Sequence, residues 1–517
     1  MKIAVYNRYW TTGGGGERYA GAFAQALASE HDVDLLTPEP VDWDALTERL
    51  ALDLSHATPR LVEEEGYGSL ARATAGYDLL VSCSYMSSEP NGARRGIYVV
   101  LFPTPFDHEL GGARRIASRL LRIGADDEDP RLEWGRGFYP PEWSRRGRYR
   151  WTAGTAHLLV RAAEGERVPV HLSLRGGRPP EVGSTDVHVE ADGREVGHAL
   201  LGAERVPTSL RFEVEGRGGT DPVIVTIRSS PFVPRDSLAT SDSRELGIQL
   251  RSVTLGAGLG PVLRGFFPRL AVPPVPLDFL DTYTRIVSIS EFTRSWVREL
   301  WNRESEILHP PVPLRATGEK EPLILSVGRF FGRDAGHSKK QLELVRTFRS
   351  LVEDGLTGWE YHLVGGCSPE HLPYLEEVRR EAHGLPVRIH VDASGAELDA
   401  LYRRASIFWH AAGLGENERR RPWRLEHFGI TTVEAMATGA VPVVVGRAGQ
   451  REIVEHGVSG FHIDSVRELA ERTRELVEDE SLRRRLGAGA RRRAEAFSAD
   501  RFAERARSLV RETLAQP

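Results

Sequence analysis

The chain has 517 residues, 40% of them apolar, with 68 Lys or Arg against 73 Asp or Glu, for a formal net charge of -5. That length predicts about three domains, each able to bury its own core, and the slight acidity excludes an electrostatic nucleic-acid binder. Two cysteines, Cys83 and Cys367, exclude a disulfide framework; no apolar run nears the ~20 residues of a bilayer span, and the N-terminus lacks a signal-peptide pattern, so a cytoplasmic protein is expected.

In chain order, residues 2–6 read as an apolar strand, 11–17 (TTGGGGE) as a glycine loop and 19–27 as a helix, with further strands at 32–36, 78–83 and 97–101. Strands alternating with helix-length segments predict a parallel, doubly wound sheet. From Gly137 the texture changes to short strands, at 149–160, 169–174, 186–190, 210–215, 223–228 and 246–255, with period-two alternation and turn signals but no helix between them. That rhythm predicts a β-sandwich. A strand at 285–290 and a helix at 291–302 return to the first pattern, so the sandwich reads as an insertion. A proline-rich linker (309–313) leads to a second α/β series with strands at 322–327, 361–364, 387–391, 406–410, 441–445 and 461–463, closed by arginine-rich helices. The expected fold is α/β: two doubly wound Rossmann-like domains facing a cleft, with an all-β sandwich inserted in the first. The expected segments are 1–136, 137–256 (sandwich), 257–312, 313–498 and a last helix at 499–517 that packs back on the N-terminal domain.

The strongest chemical signal is the string from Glu426 through Phe428 and Gly429 to Glu434 and the strand beyond. A helix starting near Ile430 presents free N–H groups, and a preceding glycine lets a ligand come close, so Gly429, Ile430 and Thr431 form an anion site able to hold a diphosphate. Glu426 is placed to accept from a hexose, and Glu434, a turn into the helix, from a second diol such as a ribose. The plainer alternative is an acidic first turn complementing the helix dipole. The chain has only four lysines, Lys2, Lys320, Lys339 and Lys340, beside 64 arginines, and two of the four lie together just before an apolar helical run. A compact ammonium there suits a phosphate charge that moves as a bond breaks; a solvated face is the alternative.

These residues resemble the E-x7-E signature of the retaining glycosyltransferases of family 4 (group 1), which have the GT-B fold. Val327-Gly328-Arg329 with Lys339-Lys340 is similar to the family's VGR…KG segment. The resemblance implies that Arg329 and Lys339 bind the donor diphosphate, with Lys340 where glycine is usual. Gly13 to Glu17 resembles the GG-x-E loop, which places Gly15 and Gly16 at a phosphate or sugar, a flexible turn being the alternative. Leu363-Val-Gly365-Gly366 and Val391-Asp392 fall where relatives line the donor pocket and contact the base. The implied activity is transfer of a sugar from a nucleotide diphosphate sugar to an acceptor hydroxyl with retention. Glu426, Arg329 and Lys339 would be catalytic; no metal and no cofactor are implied, and the acceptor is expected to be a glycan or lipid-linked sugar.

Two departures stand out. Many relatives have a His where Leu101 stands here, before Phe102-Pro103; Asp107 or His108 nearby offers a substitute polar group, or is simply a surface loop. Residues 412–425 form a longer segment than is usual, with Arg419, Arg420, Arg421 and Arg424, read as a mobile flap over the donor or as a solvated insertion. Asp126 to Asp129 reads as a solvated acidic loop. The arginine triplets 483–485 and 491–493 suit either an exposed helix face or a peripheral anionic membrane contact. Aromatics at 137–143 and 149–151 suit sugar stacking, a core or an oligomer contact. The rival functions are a non-catalytic glycan or nucleotide-sugar binder and a GT-B-fold sugar-nucleotide epimerase.

Overall fold

A computed structural model describes residues 1–62, 68–85, 87–103, 131–139, 142–144, 147–203, 207–218, 221–237, 242–256, 277–332 and 338–516. Asp107, His108 and residues 126–129 lie outside them. The N-terminal domain is built on β1 (Lys2–Tyr6), β2 (Asp32–Thr37), β3 (Ala57–Leu61), β4 (Leu79–Ser82), β5 (Arg95–Val100), β6 (Arg285–Ser288) and β7 (Glu306–Ile307). They form one parallel seven-stranded sheet in the order β7-β6-β5-β4-β1-β2-β3. The central strands are short and almost wholly apolar because helices cover both faces. Helix α1 (Gly15–Leu27) begins inside the glycine run, four residues earlier than the pattern predicts. Glu17 allows this: its buried carboxylate accepts from the Gly14 amide at 2.7 Å and the Thr12 hydroxyl at 2.8 Å, satisfying donors at the helix start.

Between β5 and β6 the chain builds two five-stranded antiparallel sheets from strands lying between Leu132 and Leu255. Alternate residues of both sheets, among them Val170, Leu172, Val187, Val189, Val225 and Ile227, share one apolar core. This unit begins at Leu132–Trp134, before the expected boundary at residue 137. Trp151 is buried against Phe232 and Tyr149, so the aromatics at 149–151 serve a core rather than an open stacking surface.

The C-terminal domain is a second parallel sheet made from β8 (Glu321–Val327), β9 (Glu360–Gly365), β10 (Val387–Val391), β11 (Ala405–His410), β12 (Val441–Val445) and β13 (Phe461–Ile463), in the order β10-β9-β8-β11-β12-β13. The helices used below are α2 (Glu291–Trp301), α3 (Gln341–Glu353), α4 (Gly395–Arg404), α5 (Ile430–Ala437), α6 (Glu480–Ala494) and α7 (Ala499–Leu514). Helix α7 returns to the N-terminal domain, where Phe502 packs edge-on against Tyr19 and Phe23 of α1 and Arg507 donates to the Ala26 carbonyl. The core of α1 and β1 is continuous through α7 with Phe428, Val433 and Met436. The carboxyl ends of β1, β8 and β11 therefore meet around the start of α5, the usual ligand position of doubly wound sheets.

Candidate active site

Helix α5 starts after Gly429, whose φ is 120°. A side chain there would be strained, and its Cβ would lie 2.4 Å from Gln450 Nε2. The first helical bonds run from the Thr432 and Val433 amides to the Gly429 carbonyl, which leaves the amides of Ile430 and Thr431 outside the helical ladder. Glu426, three residues before, is half-buried, and its carboxylate meets two groups. Lys339 Nζ lies 2.5 Å from its Oε2 and His410 Nε2 lies 3.0 Å from the same oxygen. Burial alone would raise this carboxyl, but Lys339 and then His410 hold it well below the usual carboxylate range. Burial also lowers the His410 imidazole, against the pull of Glu426. The carboxylate is thus an anion beside an ammonium and a neutral imidazole. Nothing in the sequence reading singled out His410; its place as the last residue of a strand at the carboxyl edge of the sheet was the available signal.

The next residue is tied elsewhere. Lys340 takes the left-handed conformation at φ 58° at the start of α3, where glycine would be unstrained. Its Nζ pairs with Glu416 at 3.4 Å, inside the long segment 412–425. Arg424 and Arg421 approach the same carboxylate at 3.3 and 3.6 Å, and Arg447 donates to the Glu416 carbonyl at 2.7 Å. Against its burial, Lys340 and Arg424 keep Glu416 below its ordinary value. Trp423 and Leu425 of the same segment pack with Phe102, Phe292 and Trp296 of the N-terminal domain. Segment 412–425, read as a mobile flap or a solvated insertion, is therefore a strap fastened at both domains, and Lys340, which stands where glycine is usual, is its partner. Arg419 and Arg420 are exposed.

The glycine loop faces this region from the other domain. Arg329 Nη2 lies 3.4 Å from the Thr12 carbonyl, and a Cβ on Gly14 would lie 3.0 Å from the same nitrogen. Equivalent atoms on Gly15 and Gly16 would lie 3.1 Å from Ile430 Cδ1 and 3.0 Å from Leu101 Cδ1. Gly15, Gly16, Arg329, Ile430 and Leu101 are thereby brought together. Beside Leu101, Phe102 stacks on His427 with centroids 4.0 Å apart, and Ser290 donates to the His427 carbonyl. An imidazole of the C-terminal domain thus stands at this interface.

Other expected residues take different roles. A Cβ on Gly365 would lie 2.1 Å from the Gly328 carbonyl, so this glycine permits the close approach of the β8 and β9 ends. Asp392, just past Val391, donates its amide to the Gly365 carbonyl at 3.2 Å, which places Val391 on the same rim. The Phe428 ring is buried against His309 and Phe497, in the core between domains rather than at a ligand. Glu434 is 3% exposed. Its Oε1 accepts from Arg18 at 2.9 Å and Arg315 at 3.3 Å, and its Oε2 from the Tyr402 hydroxyl at 2.8 Å. With three of its roughly four lone-pair positions used, it has one left, too few to grip a diol with both oxygens. Arg18, which crosses from α1, was not foreseen. Among the described residues no group of three His, Cys, Asp or Glu is placed to hold a metal, and no helix is long and apolar enough to cross a membrane.

Residues 315–493 match the family model described as glycosyl transferases group 1. The GDP-Man:Man(3)GlcNAc(2)-PP-Dol alpha-1,2-mannosyltransferase of Dictyostelium discoideum is 26% identical over 226 residues, 39% of this chain and 42% of that protein. The GDP-mannose-dependent alpha-(1-6)-phosphatidylinositol monomannoside mannosyltransferase of Mycobacterium tuberculosis is 28% identical over 252 residues, 46% of this chain and 61% of that one. The chain spans about half the length of the curated relatives it matches. Among solved structures, HepE of Anabaena in complex with UDP aligns over 99% of this chain and 100% of its own, with 11% identity and a TM-score of 0.53. The two parallel-sheet domains have the GT-B fold, and segment 315–493, which holds Arg329, Lys339, Glu426 and helix α5, is the part that matches the group 1 glycosyl transferases.

Proposed function

We propose that this chain is a retaining, metal-independent glycosyltransferase that moves a hexose from a nucleotide diphosphate sugar to an acceptor hydroxyl. The observation that carries the reading is the juxtaposition of the Lys339–Glu426 pair, Arg329 and the free amides at the start of α5. Each donor aimed at the developing charge of a departing diphosphate is typically worth ~10²–10³ in rate. Lys339 has three N–H donors, so it serves Glu426 and a phosphate oxygen together. Glu426, kept ionised by that lysine, accepts from the hexose hydroxyls and orients the sugar. Glu434 takes one ribose hydroxyl on its remaining lone pair, or both once Arg18 swings away. The leaving phosphate takes the acceptor proton on the same face, so a catalytic imidazole from the position of Leu101 is not required.

The group 1 match over residues 315–493 supports a nucleotide-sugar donor, as do two relatives named for their dependence on GDP-mannose or their use of GDP-Man, and the fold neighbour that holds UDP. We read the acceptor as a glycan or lipid-linked sugar, the two antiparallel sheets as an inserted β-sandwich serving as scaffold, and the setting as cytoplasmic. Nucleotide release from UDP-, GDP- and ADP-sugars, with and without glycan acceptors, tests this reading. Acceptor-dependent release is expected; binding without release from any donor would overturn it. Leu101 favours one rival, a non-catalytic nucleotide-sugar binder, and the same assay separates the two.

A further inference from the structure

At the amino-terminal edge of the C-terminal sheet, away from the Lys339–Glu426 pair, a cavity of about 620 Å³ opens between the starts of β8 and β11, the end of α5 and the side of α6. Lys320, the residue before β8, forms part of its wall. Its ammonium meets only neutral acceptors, the Tyr402 carbonyl at 3.4 Å and the Thr438 hydroxyl at 3.3 Å. Among the described residues no carboxylate lies within ion-pair distance of it. The acids around the cavity are otherwise engaged or turned to solvent. Glu321 is gripped through both oxygens by Arg404, Glu480 pairs with Arg484 at 2.6 Å, and Glu319 is exposed. Arg483 is spent on the Leu476 carbonyl and the face of Trp359. Arg491 is exposed, lines the cavity and makes no hydrogen bond or ion pair among the described residues, so its guanidinium is open to a ligand.

A mostly buried ammonium without a counter-charge is costly, and burial pushes Lys320 down to about 7. Lysine is rare in this chain, so an arginine at this position would be the unremarkable choice. A guanidinium would stay charged and could not shed its proton to relieve the burial. We propose that this cavity is a second, non-donor binding site for a small phosphate-bearing anion, held by Lys320 from within and Arg491 from the rim. The anion supplies the missing counter-charge, and the volume admits a molecule the size of a sugar phosphate.

With four lysines, the chain is suited to NMR of lysine labelled with ¹³C at Cε, the signals being assigned with Lys2→Arg and Lys340→Arg variants. One lysine is expected to titrate near neutrality, and inorganic phosphate or a hexose phosphate should raise its midpoint by about one pH unit, as a close opposite charge does. Arg491→Ala should weaken that response several-fold while leaving nucleotide release from the donor unchanged. Lys320→Met should abolish it, and Arg491→Ala keeps the test valid if Lys320→Met does not fold. Three results would overturn the proposal: a midpoint unmoved by either phosphate, a response confined to Lys339, or a response to phosphatidylglycerol vesicles alone.

Discussion

The two domains face the same gap with opposite chemistry. The C-terminal face supplies the charge: Lys339, Arg329, Glu426 and the amides of α5 converge within one sheet edge. The N-terminal face supplies shape, in the glycine loop capped by Glu17 and in Leu101 and Phe102, and among the described residues it sends Arg18 across to Glu434. A nucleotide diphosphate is the same in every turnover of such a reaction, so the surface that stabilises it is built from rigid backbone ends and paired charges. On the proposed reading an acceptor is recognised by fit, and the glycines, Leu101 and Phe102 of the facing surface carry no charge.

The sharpest way to break this contrast is to remove charge from the C-terminal face. Lys339→Ala or Glu426→Gln should each cut nucleotide release by ~10²–10³, with circular dichroism unchanged. Loss of Lys339 should also let the Glu426 carboxyl rise, so the acid limb of the pH–rate profile should move to higher pH. Gly429→Ala should come next, costing ~1–3 kcal/mol of stability through backbone strain and the crowded Gln450, read as a lowered denaturation midpoint. Glu416→Ala cuts the strap from Lys340; donor KM should rise up to about tenfold with kcat nearly constant. Arg18→Ala should have the smallest effect, changing donor KM a few-fold and in favour of donors with a free ribose diol.

Acid stability sharpens the same comparison. His410 sits below its ordinary value of 6.5, so it favours the folded state fully above that pH and less as pH falls through its folded value. Glu426 sits well below its ordinary 4.5, so its contribution is present above 4.5 and is lost only as pH drops toward its depressed folded value. Both act in one direction. The C-terminal domain should therefore weaken on acidification first below about pH 6.5 and again below about pH 4.5, as followed by urea denaturation.

Much of the C-terminal domain was legible because its signals are short-range. Each of the strands expected between residues 322 and 463 is present, and the start of α5 lies where Gly429 and the apolar run after it place it. The glycine loop was placed too late as a helix start, because the pattern gave no weight to Glu17 as a cap. His410, Arg18 and Arg315 were missed. A histidine at the end of a buried strand looks like any core histidine until Glu426 is folded against it. Segment 412–425 looked mobile from its glycines and arginines, and only the pairing of Glu416 with Lys340 ties it down.

By itself, then, the amino-acid order determined the strands, the glycine-led start of α5 and the lysine pair, since periodicity, a positive-φ glycine and a helix terminus all act over a few residues. Only the tertiary structure decided what each carboxylate meets. Arg18 reaches Glu434 across 416 positions, and Lys339 reaches Glu426 across 87. The physical reason is that the state of a buried carboxylate depends on which charges the packed domains bring within a few ångströms of it, and no local pattern encodes that distance.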